Sequence, residues 1–240
     1  DLTCHHQWAR AYFHTLHDCI MPHICHIEQL RRTNGSACFQ THLEKWIKLL
    51  SPNVQRRHHC WRTSKWVDCG VDDSLKRLLP YRDKTPTDIV LLHRNNTRVF
   101  EPHSLARLRD ALSEKGRVVI FTGKESPLQT VRIFQRARWL IGYHGAGLAN
   151  AYFMNNSTRI VEISTYEDIE SRVEWRTNMR EVTKYGQFET LLLRIPIQQI
   201  MEANGVHSLP LHDVDHFVKD LRYVKLTSQD VQRIMGFFVG

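Results

Sequence analysis

From residue 88 onward, short apolar runs alternate with amphipathic stretches. Asp88-Ile89-Val90-Leu91-Leu92-His93 carries the continuous apolar run that a strand buried on both faces needs. Pro102 and Ser104 then open a helix with Leu105, Leu108 and Leu112 on one face. Arg117 to Phe121 predicts a second strand, closed by Thr122-Gly123. Ser126, Pro127 and Gln129 form a helix start, with serine as the cap, proline at the first position and glutamine three residues after the cap. Leu128, Val131 and Phe134 supply the apolar face of that helix. Trp139 to Gly142 predicts a third strand, Gly145 to Met154 a turn and short helix, and Arg159 to Ile163 a fourth strand.

The flanks read as helical. Leu16, Ile20, Ile24 and Ile27 recur at helical spacing, and Pro22 should kink or divide that helix. Val214, Phe217, Val218 and Leu221 predict one late helix, and Val231, Ile234 and Met235 another. Thr227 and Asp230 are spaced like a cap for the last one, with Asp standing in for Glu.

Strand–helix alternation with short connections specifies an α/β fold, a parallel sheet with helices on both faces. Ligands of such sheets sit beyond the carboxyl ends of the strands. Four groups stand there: Arg94 and Arg98, then Lys124, then His144-Gly145-Ala146-Gly147, then Ser164-Thr165-Tyr166. The glycine-rich turn between strand and helix frees backbone N–H groups to face an anion, and the helix dipole adds to the attraction. Arg94, Arg98 and His144 can donate to a diphosphate, and Glu162 can accept from ribose hydroxyls. The same glycines also suit a tight strand–helix crossing with no ligand. The turn is neither G-x-G-x-x-G nor a Walker loop, which weighs against a dinucleotide oxidoreductase or a P-loop NTPase.

Composition narrows the setting. Hydrophobic residues are 42% of the 240, enough for a folded core. Mean hydropathy is −0.42. No run approaches the roughly 20 apolar residues of a membrane span. The opening residues lack the basic start and apolar run of a signal peptide. The formal charge of +8 suits a phosphorylated ligand, nucleic acid or an anionic membrane. No block of five Lys/Arg, RNP-like motif or zinc-finger spacing favours nucleic acid.

All six cysteines (Cys4, Cys19, Cys25, Cys38, Cys60 and Cys69) fall in the first 70 residues. An even, clustered set reads as disulfides in an oxidising compartment; reduced buried thiols, or zinc near His58-His59-Cys60, are the alternatives. Glycosylation sequons at Asn34, Asn95, Asn155 and Asn156 point to the same secretory setting as disulfides.

Three stretches together resemble glycosyltransferase family 61. His144-Gly145-Ala146-Gly147-Leu148, with Phe153-Met154 and Val161-Glu162-Ile163 downstream, is similar to that family's H-G-A-G-L block and its later Phe and Val-Glu positions. Leu91-Leu92-His93-Arg94 with Arg98 resembles its strand ending in Ser-Arg, with His93 in place of the serine. Tyr12-Phe13-His14-Thr15-Leu16-His17-Asp18 with Pro22 resembles its early helix, with Ala11 where the family has asparagine.

The resemblance implies a GT-B-like fold of two Rossmann-like lobes with parallel sheets. Residues 1–85 would form an acceptor-side lobe, either incomplete at its start or reduced in size, 86–210 the nucleotide-sugar lobe, and 211–240 closing helices. It implies inverting transfer of a sugar, N-acetylglucosamine or xylose, from a UDP-sugar to a protein or glycan hydroxyl. No metal is expected as a fixed ligand. Arg94, Arg98, His144, Gly145, Ala146 and Gly147 would hold the diphosphate, Glu162 the ribose, and His14 or Asp18 would act as base. At helical spacing His14, His17 and Asp18 share a face. The endoplasmic reticulum or Golgi lumen is the expected compartment. A reduced first lobe also fits a catalytically silent relative, serving as a structural or binding subunit of a larger assembly.

Overall fold

The computed structural model describes residues 24–33, 36–37, 44–56, 79, 85–95, 97–155, 158–166, 188–208 and 221–239. Its centre is a five-stranded, wholly parallel sheet. The strands are β3 (Asp88–Leu92), β5 (Val118–Phe121), β6 (Ala137–Tyr143), β7 (Thr158–Tyr166) and β8 (Phe188–Pro196), in the spatial order β5-β3-β6-β7-β8. Ahead of them come α1 (Ile24–Thr33), β1 (Ser36–Ala37), α2 (Glu44–Leu50) and β2 (Gln55–Arg56). β1 and β2 pair in parallel across α2, forming a small βαβ unit. Between and after the sheet strands lie β4 (Val99–Phe100), α3 (Pro102–Ser113), α4 (Pro127–Gln135), a 3₁₀ helix (Ala146–Phe153), α5 (Ile197–Ala203), β9 (Tyr223–Val224) and α6 (Ser228–Val239).

Side chains along each strand alternate between two hydrophobic cores. Val90, Leu92, Leu140 and Ile160 face one core, which they share with Val131 and Phe134 of α4, Leu148 and Ala149 of the 3₁₀ helix, and Ile27, Trp46 and Ile47 of α1 and α2. Ile89, Leu91, Ile141, Val161 and Leu193 face the other, with Leu108 and Leu112 of α3, Ile200 of α5 and Ile234 of α6. The α1 and α2 helices therefore pack on the same face of the sheet as α4 and the 3₁₀ helix. Trp46 stacks on Phe153 with ring centroids 5.5 Å apart, pinning α2 to the 3₁₀ helix.

The capping expected at two helices is present. Ser126 and Gln129 form a reciprocal capping box at α4. Asp230 Oδ2 accepts from the Thr227 amide at 2.9 Å and hydroxyl at 2.7 Å, while the Asp230 amide donates to Thr227 Oγ1 at 3.2 Å. Pro22 and the helix break expected there lie outside the described residues, which begin at Ile24. The helix expected over 214–221 lies outside the described residues, apart from Leu221, which is coil. At the amino end of β3, Asp88 is bound by Arg117 and Arg136.

Sequon positions differ in access. Asn95 is exposed, whereas the Asn155 side-chain amide donates to the Gln135 carbonyl at 3.1 Å. Asn34 and Asn156 lie outside the described residues, as do Cys4, Cys19, Cys38, Cys60, Cys69 and the Cys25 side chain.

Candidate functional site

The chain leaves β3 toward the core of α3 and leaves the neighbouring β6 toward the core of the 3₁₀ helix. Two adjacent parallel strands whose connections depart to opposite faces leave a crevice at their carboxyl ends. A cavity of 320 Å³ opens there. His93, Arg94 and Arg98 enter it from β3, Thr122, Gly123 and Glu125 from β5, and Tyr143, Gly145, Ala146 and Gly147 from β6. Trp46 closes one wall from α2, and Pro127 and Thr130 of α4 another.

The glycines divide the two uses that their spacing leaves open. A Cβ at Gly142 would stand 2.6 Å from Leu92 Cδ1, and one at Gly147 would stand 3.2 Å from the same atom. Those two permit close packing of β3 against β6 and its turn. A Cβ at Gly145 would stand 2.9 Å from Arg94 Nη1. Gly145 therefore makes room for a guanidinium.

Arg98 has φ +57°, left-handed backbone that non-glycine residues rarely adopt and that structures tend to keep near functional sites. A clamp holds it there. The Arg98 amide donates to the Leu221 carbonyl at 3.1 Å, and β4 then pairs with β9. Ser104 Oγ accepts from the Leu226 amide at 2.9 Å. Arg98 Nη1 reaches the His144 carbonyl at 3.2 Å, tying the β3 loop to the β6 turn across the crevice. Burial, and then the charge of Arg98, pull the Arg94 pKa down to about 10. Arg94 stays cationic at neutral pH, and an anion placed between the two guanidinium groups would relieve both costs.

His144 and Glu162 form a pair beside the cavity lining. His144 Nδ1 lies 2.6 Å from Glu162 Oε1, and Glu162 is fully buried. A carboxylate only accepts, so Nδ1 carries the proton and Nε2 is left for a ligand. Enclosed in the sheet, Glu162 does not line the cavity. Thr165 bonds Tyr143 across the strands, hydroxyl to hydroxyl at 2.9 Å. His14 and Asp18, the expected base, lie outside the described residues.

Two cavity residues carry chemistry that the sequence alone does not assign. His93 Nδ1 is buried without a hydrogen-bond partner, and burial lowers its pKa. Glu125 is the acidic residue among those lining the cavity. Both lie in loops that follow strands, which is the one cue the sequence offers for them.

Crevice, paired arginines and glycine turn gather cationic side chains at the switch point of an α/β sheet. The family described as Glycosyltransferase 61 matches residues 12–161, more than half of the chain, and the chain belongs to it. A search of curated proteins gave no match.

Proposed function

We propose that the cavity binds the diphosphate of a UDP-sugar and that the protein transfers the sugar, N-acetylglucosamine or xylose, to a hydroxyl of a protein or glycan. The observation carrying this reading is the convergence of Arg94 and Arg98 over the Gly145 turn, in a crevice large enough for a nucleotide. Membership of a glycosyltransferase family supplies the reaction class.

In an inverting transfer the acceptor oxygen attacks the anomeric carbon. The bond to the diphosphate breaks with its electron pair, and the hydroxyl proton passes to a base. Negative charge thus grows on the leaving diphosphate, where fixed cations contribute most. Arg94 and Arg98 supply that charge. His144, oriented by Glu162, is placed to add a donor from Nε2. His14 or Asp18 serves as base, on the strength of the early motif. Luminal residence in the endoplasmic reticulum or Golgi fits the clustered cysteines and the exposed sequon at Asn95.

The experiment is UDP binding by calorimetry, with sugar turnover on an acceptor panel, for the unmutated protein, Arg94→Ala, Asp18→Ala and His14→Ala. Removing a charged donor to phosphate costs about 1.5–3 kcal/mol, so Arg94→Ala should weaken UDP by roughly ten- to a hundredfold. Loss of a general base removes about 10²–10⁴ in rate and leaves UDP binding intact. UDP binding unchanged in Arg94→Ala would overturn the site. Tight UDP binding with no turnover by the unmutated protein would make it a binding subunit rather than an enzyme.

A further inference from the structure

We propose that Glu125 is the group that receives the ribose hydroxyls of the nucleotide, and so makes the cavity selective for ribonucleotides; the inference rests on the diphosphate reading of the same cavity. Glu125 lines the cavity from the loop between β5 and α4. One oxygen of its carboxylate is committed: Oε1 accepts from the Thr122 amide and the Thr122 hydroxyl, each at 3.1 Å. The other oxygen, Oε2, is buried with no hydrogen-bond partner. A buried carboxylate oxygen without a donor is costly, and the cost is removed by a ligand that brings O–H or N–H groups.

The chemistry of the cavity selects which part of the ligand that is. A carboxylate repels phosphate, so Glu125 cannot share the diphosphate with Arg94 and Arg98. It must face an uncharged, donor-rich portion of the same ligand. A ribose diol has two O–H donors on adjacent carbons, within reach of one carboxylate oxygen. The loop itself is braced for the task. Gly123, at φ +79°, turns the chain directly after β5, and the capping box fixes Ser126, the residue next to Glu125. β5 neighbours β3, so the carboxylate stands one strand over from the arginines. Glu162, the other acidic candidate, is enclosed against His144.

The test measures calorimetric affinities for UDP, 2′-deoxy-UDP and inorganic pyrophosphate. The unmutated protein should prefer UDP over 2′-deoxy-UDP by about tenfold or more, the scale of one hydrogen bond to a charged acceptor. Glu125→Ala should bring that ratio to within about twofold and leave pyrophosphate affinity unchanged. Glu125→Gln keeps an oxygen for Thr122 and should lower the ratio severalfold, which covers the case in which the alanine variant does not fold. A ratio near one in the unmutated protein would overturn the inference, as would a full tenfold ratio retained by either variant. UDP binding no tighter than pyrophosphate would overturn it too. If the unmutated protein binds neither UDP nor pyrophosphate, the diphosphate site itself falls.

Discussion

Gly142 and Gly145, three residues apart, illustrate how one glycine-rich turn carries two jobs. An added methyl at Gly142 meets Leu92 Cβ at 2.9 Å, an atom that moves only with its backbone. Gly142→Ala should therefore destabilise the protein by about 1–3 kcal/mol, read from chemical denaturation. At Gly145 the same methyl meets the far end of Arg94, which can swing away. Gly145→Ala should leave the melting temperature nearly unchanged while weakening UDP by about tenfold, because a charge-assisted hydrogen bond is lost or misdirected. A pair of variants with the opposite pattern would show that the assignments are reversed. The sequence marks both glycines and cannot tell them apart. What separates them is which side chain of the adjacent β3 strand lies opposite, and that is set by strand register. The same holds for Glu162. Its place on a strand is legible, but its partner, His144, comes from just beyond the end of the neighbouring strand.

Among elements, those fixed by chemistry close in sequence are the most completely legible. The α4 cap needs only Ser126, Pro127 and Gln129, and the α6 cap only Thr227 and Asp230. Central strands β3 and β6 announce themselves because both faces are buried, leaving unbroken apolar runs. β8 gives a weaker signal. It is an edge strand of the sheet, only Leu193 and Ile195 along its length are fully buried, and its apolar run is limited to Leu191-Leu192-Leu193 between Thr190 and Arg194. The α4 cap also has a functional consequence, since Pro127 and Thr130 line the cavity. Ser126→Ala should cost about 1 kcal/mol of stability, and saturating UDP should recover part of the lost melting temperature. A melting temperature within error of the unmutated protein would mean that the cap contributes nothing measurable.

For the molecule as a whole, acid should act in two stages. Burial holds the His93 imidazole below its usual 6.5, so the unfolded chain takes up that proton first. Stability supplied by the neutral form is complete above pH 6.5 and declines as the pH falls toward the lowered value in the folded state. Asp88 behaves likewise, lower on the scale. Burial alone would raise its pKa, but hydrogen bonding and charge from Arg117, with the charge of Arg136, outweigh that and hold it below 3.8. Its contribution is complete above 3.8 and is lost as the pH falls through the folded value. Unfolding free energies measured from about pH 8 to 3 should show both declines. His93→Gln should flatten the upper one and Asp88→Asn the lower; an unaltered upper decline in His93→Gln would assign it to other histidines. In the opposite direction, UDP at about 100 times its dissociation constant adds roughly 2.7 kcal/mol, which for a chain of this size raises the melting temperature by about 5–10 °C.

The pairing of β4 with β9 has a consequence in time as well as in space. The loop that presents Arg98 is held by carbonyls at Leu221 and Arg222, far downstream in the chain. On the ribosome, the sheet strands from β3 to β8 emerge well before that brace exists. A nascent chain can therefore assemble its scaffold and still lack a fixed grip on a phosphate. Under the proposed function, affinity for a sugar nucleotide arrives only when Leu226 and its neighbours have left the exit tunnel, so that ligand cannot help the earlier stages of folding.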